Sequence, residues 1–376
     1  MSHSLSQKTT IPETILVPKT TIFKSGAAAV IEKNCKIHGV KGYAVYGTAA
    51  KNNKSIIDFF RNKNVRAVQR VNSSIEPSTA ELEEMISDAQ KWGAQWILGI
   101  GGGSILDLAK ATAGLFNALE PPRYYQTGGI LGEKGIPFIA VPTTAGSGAE
   151  ATPNAVFIHT ETNEKLSIRE NTFIAETVIL DPDLLSEAPP QVIAGSGLDA
   201  FAQAIESYFS LGGTWLSSVY AYQAFECIVH NLVPFYKTRT HDHACGLLLG
   251  SYLAGIALSQ SRLGVVHGIA HPLGVRYGIE HGKLCGWILP HALALNKEYV
   301  PDKYASLSAA CPCEDLYETA CMFLRELQIT NPFPPGPYDD DDSIISAALS
   351  SGSTRANPFQ ITEKEMRALL DKIRQQ

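Results

Sequence analysis

Five side chains in the second half of the chain have the types and spacings of a metal-binding set. Asp199 and Gln203 lie four residues apart in a helical pattern, so they share a face. His267 and His271 repeat that spacing, and His281 follows ten residues later, just before Gly282. One carboxylate with two or three imidazoles, drawn from separate helices, suits a divalent cation such as Zn²⁺ or Fe²⁺. Taken singly, each residue has a plainer role. Asp199 could cap a helix at Gly197-Leu198, and His267 could be a hydrogen-bonded core histidine.

A second chemical feature lies in the first half. Gly101-Gly102-Gly103-Ser104 follows the apolar run Trp96–Ile100 and opens a helical pattern, Ile105-Leu106-Asp107-Leu108-Ala109-Lys110. A strand that ends in glycines and turns into a helix presents backbone N–H groups at a positive helix end. That geometry cradles a phosphate. Glycine triplets also occur in ligand-free turns, so the surrounding elements decide between the readings.

Those elements alternate. Gly42–Tyr46 reads as a strand, Ser55–Lys63 as a helix, Val65–Val71 as a strand and Thr79–Trp92 as a helix. The Trp96 strand and a further strand, Gly135–Val141, follow, the latter ended by Pro142. Alternating strands and helices predict a parallel sheet whose ligands sit beyond the carboxyl ends of its strands. The glycine turn and Pro142–Glu150 both lie at such ends and are expected to face one cleft. Val156–Ile158 and Val178–Leu180 read as extended segments around a polar stretch with Glu161, Thr162 and Asn163, which suggests a β-hairpin between them. Beyond Pro189-Pro190 the patterns are helical, as in Gly197–Tyr208, Ser217–Leu232 and Ala244–Leu258. Asn331–Asp342 reads as a surface loop. Thr362 and Glu365 form a capping-box pattern for a last helix. The expected organisation is an α/β domain over residues 1–186 and an all-α domain over 187–376.

Composition narrows the function classes. The 376 residues are 45% hydrophobic and 18% charged, with a net charge of −6. This is the profile of an ordinary globular protein without a nucleic-acid footprint. No stretch reads as a membrane span, and Met1–Lys8 lacks the apolar core of a signal peptide, so a cytoplasmic protein is expected. The seven cysteines, at 35, 227, 245, 285, 311, 313 and 321, have no zinc-knuckle spacing and read as free thiols.

Taken together, the motifs resemble the iron-containing alcohol dehydrogenase family, the fold group of glycerol dehydrogenase, maleylacetate reductase and dehydroquinate synthase. They are Gly101–Ser104 with Asp107 and Lys110; Pro142-Thr143-Thr144-Ala145-Gly146-Ser147-Gly148; Asp181-Pro182; Gly197-Leu198-Asp199-Ala200 with Glu206; His267–Gly274; and His281-Gly282 with Leu289-Pro290-His291. They run in family order over most of residues 18 to 372. The resemblance implies an N-terminal dinucleotide-binding domain, a C-terminal helical domain and a metal between them. It implies hydride transfer between NAD or NADP and a small alcohol or aldehyde, in a homo-oligomer such as a dimer.

Residue by residue, the resemblance puts the pyrophosphate on Gly101, Gly102, Gly103 and Ser104, with Asp107, Thr143, Thr144 and Ser147 beside the cofactor. The family's metal set of one aspartate and three histidines falls by position on Asp199, Gln203, His267 and His281. The second ligand is therefore a glutamine here, a neutral and weaker donor. A three-ligand site still suits zinc, as in the glycerol dehydrogenase branch, and Zn²⁺ is expected ahead of Fe²⁺. His271 neighbours these ligands and is the expected proton relay. After the Tyr43–Tyr46 strand the family often carries an acid for the ribose hydroxyl. Here Gly47 follows, with Lys51 and Lys54 nearby, which favours NADP over NAD. Arg276 and Lys283 flank His281 in sequence and suggest an anionic aldehyde as substrate. The alternatives are a dehydroquinate-synthase-like cyclase, a metal-independent reductase of the maleylacetate reductase type, and a binding protein on an enzyme scaffold.

Overall fold

Short apolar runs, each closed by glycine, proline or a polar turn, build the strands of the first half. A computed structural model describes residues 12–70, 76–162, 164–335, 338 and 341–375. The strands are β1 (Thr20–Phe23), β2 (Gly42–Tyr46), β3 (Val65–Gln69), β4 (Trp96–Gly101), β5 (Phe138–Pro142), β6 (Asn154–Ile158), β7 (Lys165–Arg169) and β8 (Thr177–Leu180). Six of them form one parallel sheet in the order β1-β8-β5-β4-β2-β3. Helices α1 (Ile31–Lys36), α2 (Lys54–Phe60), α3 (Thr79–Trp92), α4 (Gly103–Gly114) and α5 (Pro122–Gln126) connect them.

The sheet is buried on both faces. In β4, Trp96, Leu98 and Ile100 enter one core with Ile31, Ile56 and Ile179, while Ile97 enters the other with Tyr43, Leu106 and Val178. Gly99 also faces α4: a Cβ there would stand 2.9 Å from Ala109 Cβ. A one-residue slip of β4 would therefore drive Leu98 or Ile100 into the α4 contact and leave Gly99 in the opposite core.

The hairpin expectation is corrected in its partner. β6 pairs antiparallel with β7, not with Val178–Leu180, which is β8 of the main sheet. The reason is burial. All four residues of β8 are buried, as a central parallel strand requires, whereas β7 mixes exposed and buried positions as a hairpin arm does. Val71 and Asn163 lie outside the described residues.

From Pro190 onward the described elements are helical: α6 (Pro190–Phe209), α7 (Trp215–Thr238), α8 (His241–Ser261), α9 (Val265–Tyr277), α10 (His281–Asn296), α11 (Pro301–Ser308), α12 (Leu316–Glu326), α13 (Asp341–Ser350) and α14 (Glu363–Arg374). The capping box at α14 is present, with Thr362 and Glu365 exchanging side-chain-to-backbone hydrogen bonds. Asp341 and Asp342, read as loop, open α13. One further correction concerns α8. It is long and apolar enough to cross a membrane, but it packs against α6 and α7 as a core helix.

Candidate active site

The carboxyl ends of β2, β4 and β5 lie side by side and build the first half of the site. β4 ends at Gly101, and α4 starts at Gly103 with Gly102 as its extended N-cap (φ −78°). None of the three glycines has a positive φ. They are required by close approach. A Cβ on Gly103 would meet Ser147 Oγ at 2.5 Å, and one on Gly102 would meet Thr144 Oγ1 at 3.2 Å. The glycine turn and the Thr144–Ser147 loop thus form the two walls of one cleft at a helix N-terminus. Gly47 caps β2 beside them, its N–H donating to Ile100 O at 2.9 Å. Thr143 is buried, and its N–H donates to Gly101 O at 3.0 Å.

Asp107, expected beside the cofactor, is turned to another task. Its Oδ2 accepts from Val156 N–H at 2.9 Å, and its Oδ1 lies 3.3 Å from Lys110 Nζ. Lys110 is fully buried and also donates to Thr152 Oγ1 and Asn154 O. The pair ties α4 to the hairpin. A carboxylate would in any case repel a phosphate.

The second half of the site comes from α6, α9 and α10. Asp199 lies mid-helix in α6 rather than at a cap, one turn beyond Ser196. The phosphate-side loop touches Ser196: a Cβ on Gly146 would stand 2.7 Å from Ser196 Cβ. Gly195 and Gly282 let α6 and α10 cross closely, because a Cβ on either would clash with Glu280 or with the Gly195 carbonyl. That crossing brings His281, the first residue of α10, over Asp199. His281 Nε2 lies 3.7 Å and His267 Nε2 lies 3.1 Å from Asp199 Oδ1. Donor atoms of Asp199, His267, His281 and Cys285 all lie within 4.8 Å of one another.

The surroundings fit a cation. His267 Nδ1 lies 2.6 Å from Glu206 Oε2, so Nδ1 carries a proton and Nε2 is the ring nitrogen left free to bind a cation in exchange for its own proton. Gln203 Oε1 is buried and has no hydrogen-bond partner among the described residues. Burial lowers the His267 pKa, but the Cys285 thiol and the Asp199 and Glu206 carboxylates outweigh it and hold the imidazole well above its ordinary value. A proton is thus drawn to the place a metal ion would take. Burial, then the charge of Lys165, then neighbouring imidazoles keep His271 and His281 well below their ordinary value. Burial pushes the Cys285 thiol up to about 11.

Residues 18–182 match the family model for iron-containing alcohol dehydrogenase, and residues 193–374 match that of the Fe-containing alcohol dehydrogenase family C-terminal region. The chain belongs to the iron-containing alcohol dehydrogenase family. Lactaldehyde reductase of Escherichia coli (strain K12) is 29% identical over 305 residues, covering 77% of this chain and 80% of that one. The crystal structure of a 1,3-propanediol oxidoreductase superposes with a TM-score of 0.88 at 24% identity, over 97% of this chain and 100% of that one. A sulfoacetaldehyde reductase from Bifidobacterium kashiwanohense, in complex with NAD⁺, superposes with a TM-score of 0.88 at 22% identity, over 97% and 99%.

Membership makes this dehydrogenase an NAD(P)-dependent alcohol dehydrogenase or aldehyde reductase with a small-molecule substrate and a divalent metal. It sets the cyclase reading aside. His271, on α9 with His267, has its ring 5.0 Å from that of His281. Helix rotation sets the expected substrate residues apart from the histidines. Arg276 follows His267 by nine residues on α9, which places it about 180° around the helix, and it is exposed. Lys283, two residues after His281, lies about 200° around α10. Neither shares the face that carries the histidines. A basic group that bears on both His271 and His281 is Lys165 of β7, whose side chain is 8% exposed and paired with Glu76 at 2.6 Å. Sequence reading missed it because it reaches the histidines through the fold, from more than one hundred residues away in the chain. It also missed Cys285, although His281 and Cys285 have the four-residue spacing of one helix face.

Proposed function

We propose that this enzyme interconverts small aldehydes and alcohols with NADP, using a divalent cation held by Asp199, His267 and His281. The observation that carries the reading is the convergence of these donors on α6, one turn from the Ser196 contact with the cofactor-side loop. When bound, the cation supplies Lewis-acid polarisation of the substrate oxygen and the nicotinamide supplies or accepts the hydride.

The protein's own residues bind and orient. Backbone N–H groups at Gly102–Ser104 would hold the pyrophosphate at the N-terminus of α4, with Thr144 and Ser147 as hydroxyl partners. Glu206 fixes the tautomer and orientation of His267. His271, neutral and half-buried, would take or give the hydroxyl proton. The absence of an acid at Gly47 supports NADP, since nothing there repels a 2′-phosphate. The Lys165 ammonium supports a substrate with a carboxylate or sulfonate. Relatives named for lactaldehyde and sulfoacetaldehyde agree with a short, polar aldehyde. The seven unpaired thiols suit the cytoplasm. The open edge strand β1, with Phe23 exposed on it and Ile15 and Val17 exposed in the segment before it, suits a homodimer.

The test is a panel of short aldehydes assayed with NADPH and NADH before and after chelation. Turnover that is lost on chelation and restored by one divalent metal supports the reading. Undiminished turnover in metal-free protein contradicts it.

A further inference from the structure

We infer that Cys285 is a protein ligand of the cation, supplying the donor that Gln203 supplies poorly. The inference rests on the metal site proposed above and assigns it a residue outside the family set. His281 and Cys285 stand one turn apart on the same face of α10. Cys285 Sγ lies 3.6 Å from His281 Nε2, and the thiol is fully buried.

The spacing is close to that of a coordination shell, with all four donor atoms within 4.8 Å of one another. Ligands at about 2.0–2.3 Å from a tetrahedral Zn²⁺ are separated from one another by about 3.3–3.8 Å. The separations here are 3.6 Å for Cys285–His281, 3.7 Å for His281–Asp199 and 3.1 Å for Asp199–His267. A small inward adjustment of four side chains would place them around one ion. Cys35 is also buried, yet it is not part of such a donor group among the described residues.

Charge gives an independent reason. A divalent ion on Asp199 and two neutral imidazoles keeps one net positive charge within its own ligand shell, in a buried site. The Gln203 amide adds no charge, and the Glu206 carboxylate acts from behind His267 rather than on the ion. A thiolate from Cys285 would neutralise the ligand shell itself. On binding, the S–H proton passes to solvent and a sulfur–metal bond forms, with no change of oxidation state. Zinc can expand to five-coordination, so four protein donors still leave a place for substrate. Gln203 Oε1 is then left to accept a hydrogen bond from substrate or water. A thiolate donor also favours Zn²⁺ over Fe²⁺.

Cobalt substitution reads the sulfur directly. Metal-free enzyme given one equivalent of Co²⁺ should develop visible d–d bands together with a near-ultraviolet thiolate-to-cobalt charge-transfer band. Cys285→Ser should retain d–d bands and lose the charge-transfer band, whereas Gln203→Ala should keep both. Wild-type d–d bands without the charge-transfer band would overturn the inference and leave the metal site standing. A charge-transfer band that survives Cys285→Ser would do the same. Absence of all cobalt bands from the wild type would overturn both the inference and the site beneath it. The wild-type spectrum decides the matter even if the serine variant folds poorly.

Discussion

Glu206 Oε2 accepts from His267 Nδ1 at 2.6 Å, while Glu206 Oε1 accepts from the Val266 N–H at 2.6 Å. The carboxylate therefore holds both the ring and the first turn of α9. Glu206→Gln keeps the shape but weakens the hold on the tautomer. It should reduce metal affinity about 10- to 100-fold. Competition with a fluorescent chelator measures this, and unchanged affinity would show that Glu206 serves packing alone.

Cofactor affinity should depend on the glycine turn. Gly102→Val adds a branched side chain where Cβ already meets Thr144 Oγ1 at 3.2 Å, at the mouth of the proposed phosphate cleft. NADPH affinity should fall by about 10-fold or more, equivalent to about 1.4 kcal/mol. Equal affinity in a fluorescence titration would remove the turn from the binding site.

Gly47 lies at φ −93°, so an aspartate is tolerated there without backbone strain. A carboxylate would oppose a 2′-phosphate and accept from a ribose hydroxyl. Gly47→Asp should shift the NADP/NAD ratio of kcat/KM toward NAD by about 10-fold or more. A wild-type enzyme already preferring NAD would contradict the reading of Gly47.

Much of this architecture was legible from the chain, for identifiable reasons. Gly42–Tyr46 and Thr79–Trp92 have clean periods of strand and helix, and their bounds agree with β2 and α3. The glycine turn and the Thr144–Ser147 loop could be assigned to one cleft because parallel strands must end on the same side. The less legible features depend on rotation and distance. Arg276 and Lys283 are near His281 in sequence, but helix twist carries them off its face. Lys165 sits in a short strand of mixed polarity with no periodic signal. Cys285 has no zinc-knuckle spacing to mark it; only its four-residue offset from His281 does.

Burial raises the Glu150 carboxyl from 4.5 to about 7. In the unfolded chain the group ionises near 4.5. Its contribution to stability is therefore intact below that pH and is lost as pH rises toward 7, by up to about 3 kcal/mol. Glu150→Gln should remove this loss. The melting temperatures of the two proteins should converge near pH 4.5 and diverge at pH 8, with the variant higher. Parallel curves across that range would mean that Glu150 stays ionised at no cost.

Lys165 is the basic group whose charge bears on His271 and His281. Lys165→Met should raise KM for a carboxylate-bearing aldehyde by about 10-fold, or about 1.4 kcal/mol, and leave a neutral aldehyde nearly unchanged. Equal effects on both substrates would restrict Lys165 to its ion pair with Glu76.

A cation held by Asp199, His267 and His281 is proposed to be needed for turnover. Elemental analysis and NADPH-dependent aldehyde reduction, measured on the same preparations of wild type and His267→Ala, test it most directly. Wild type should carry one divalent metal ion per chain. The variant should carry little or none, and its turnover should be abolished while its circular dichroism is unchanged. Wild-type-level turnover in a folded, metal-free His267→Ala protein would contradict it.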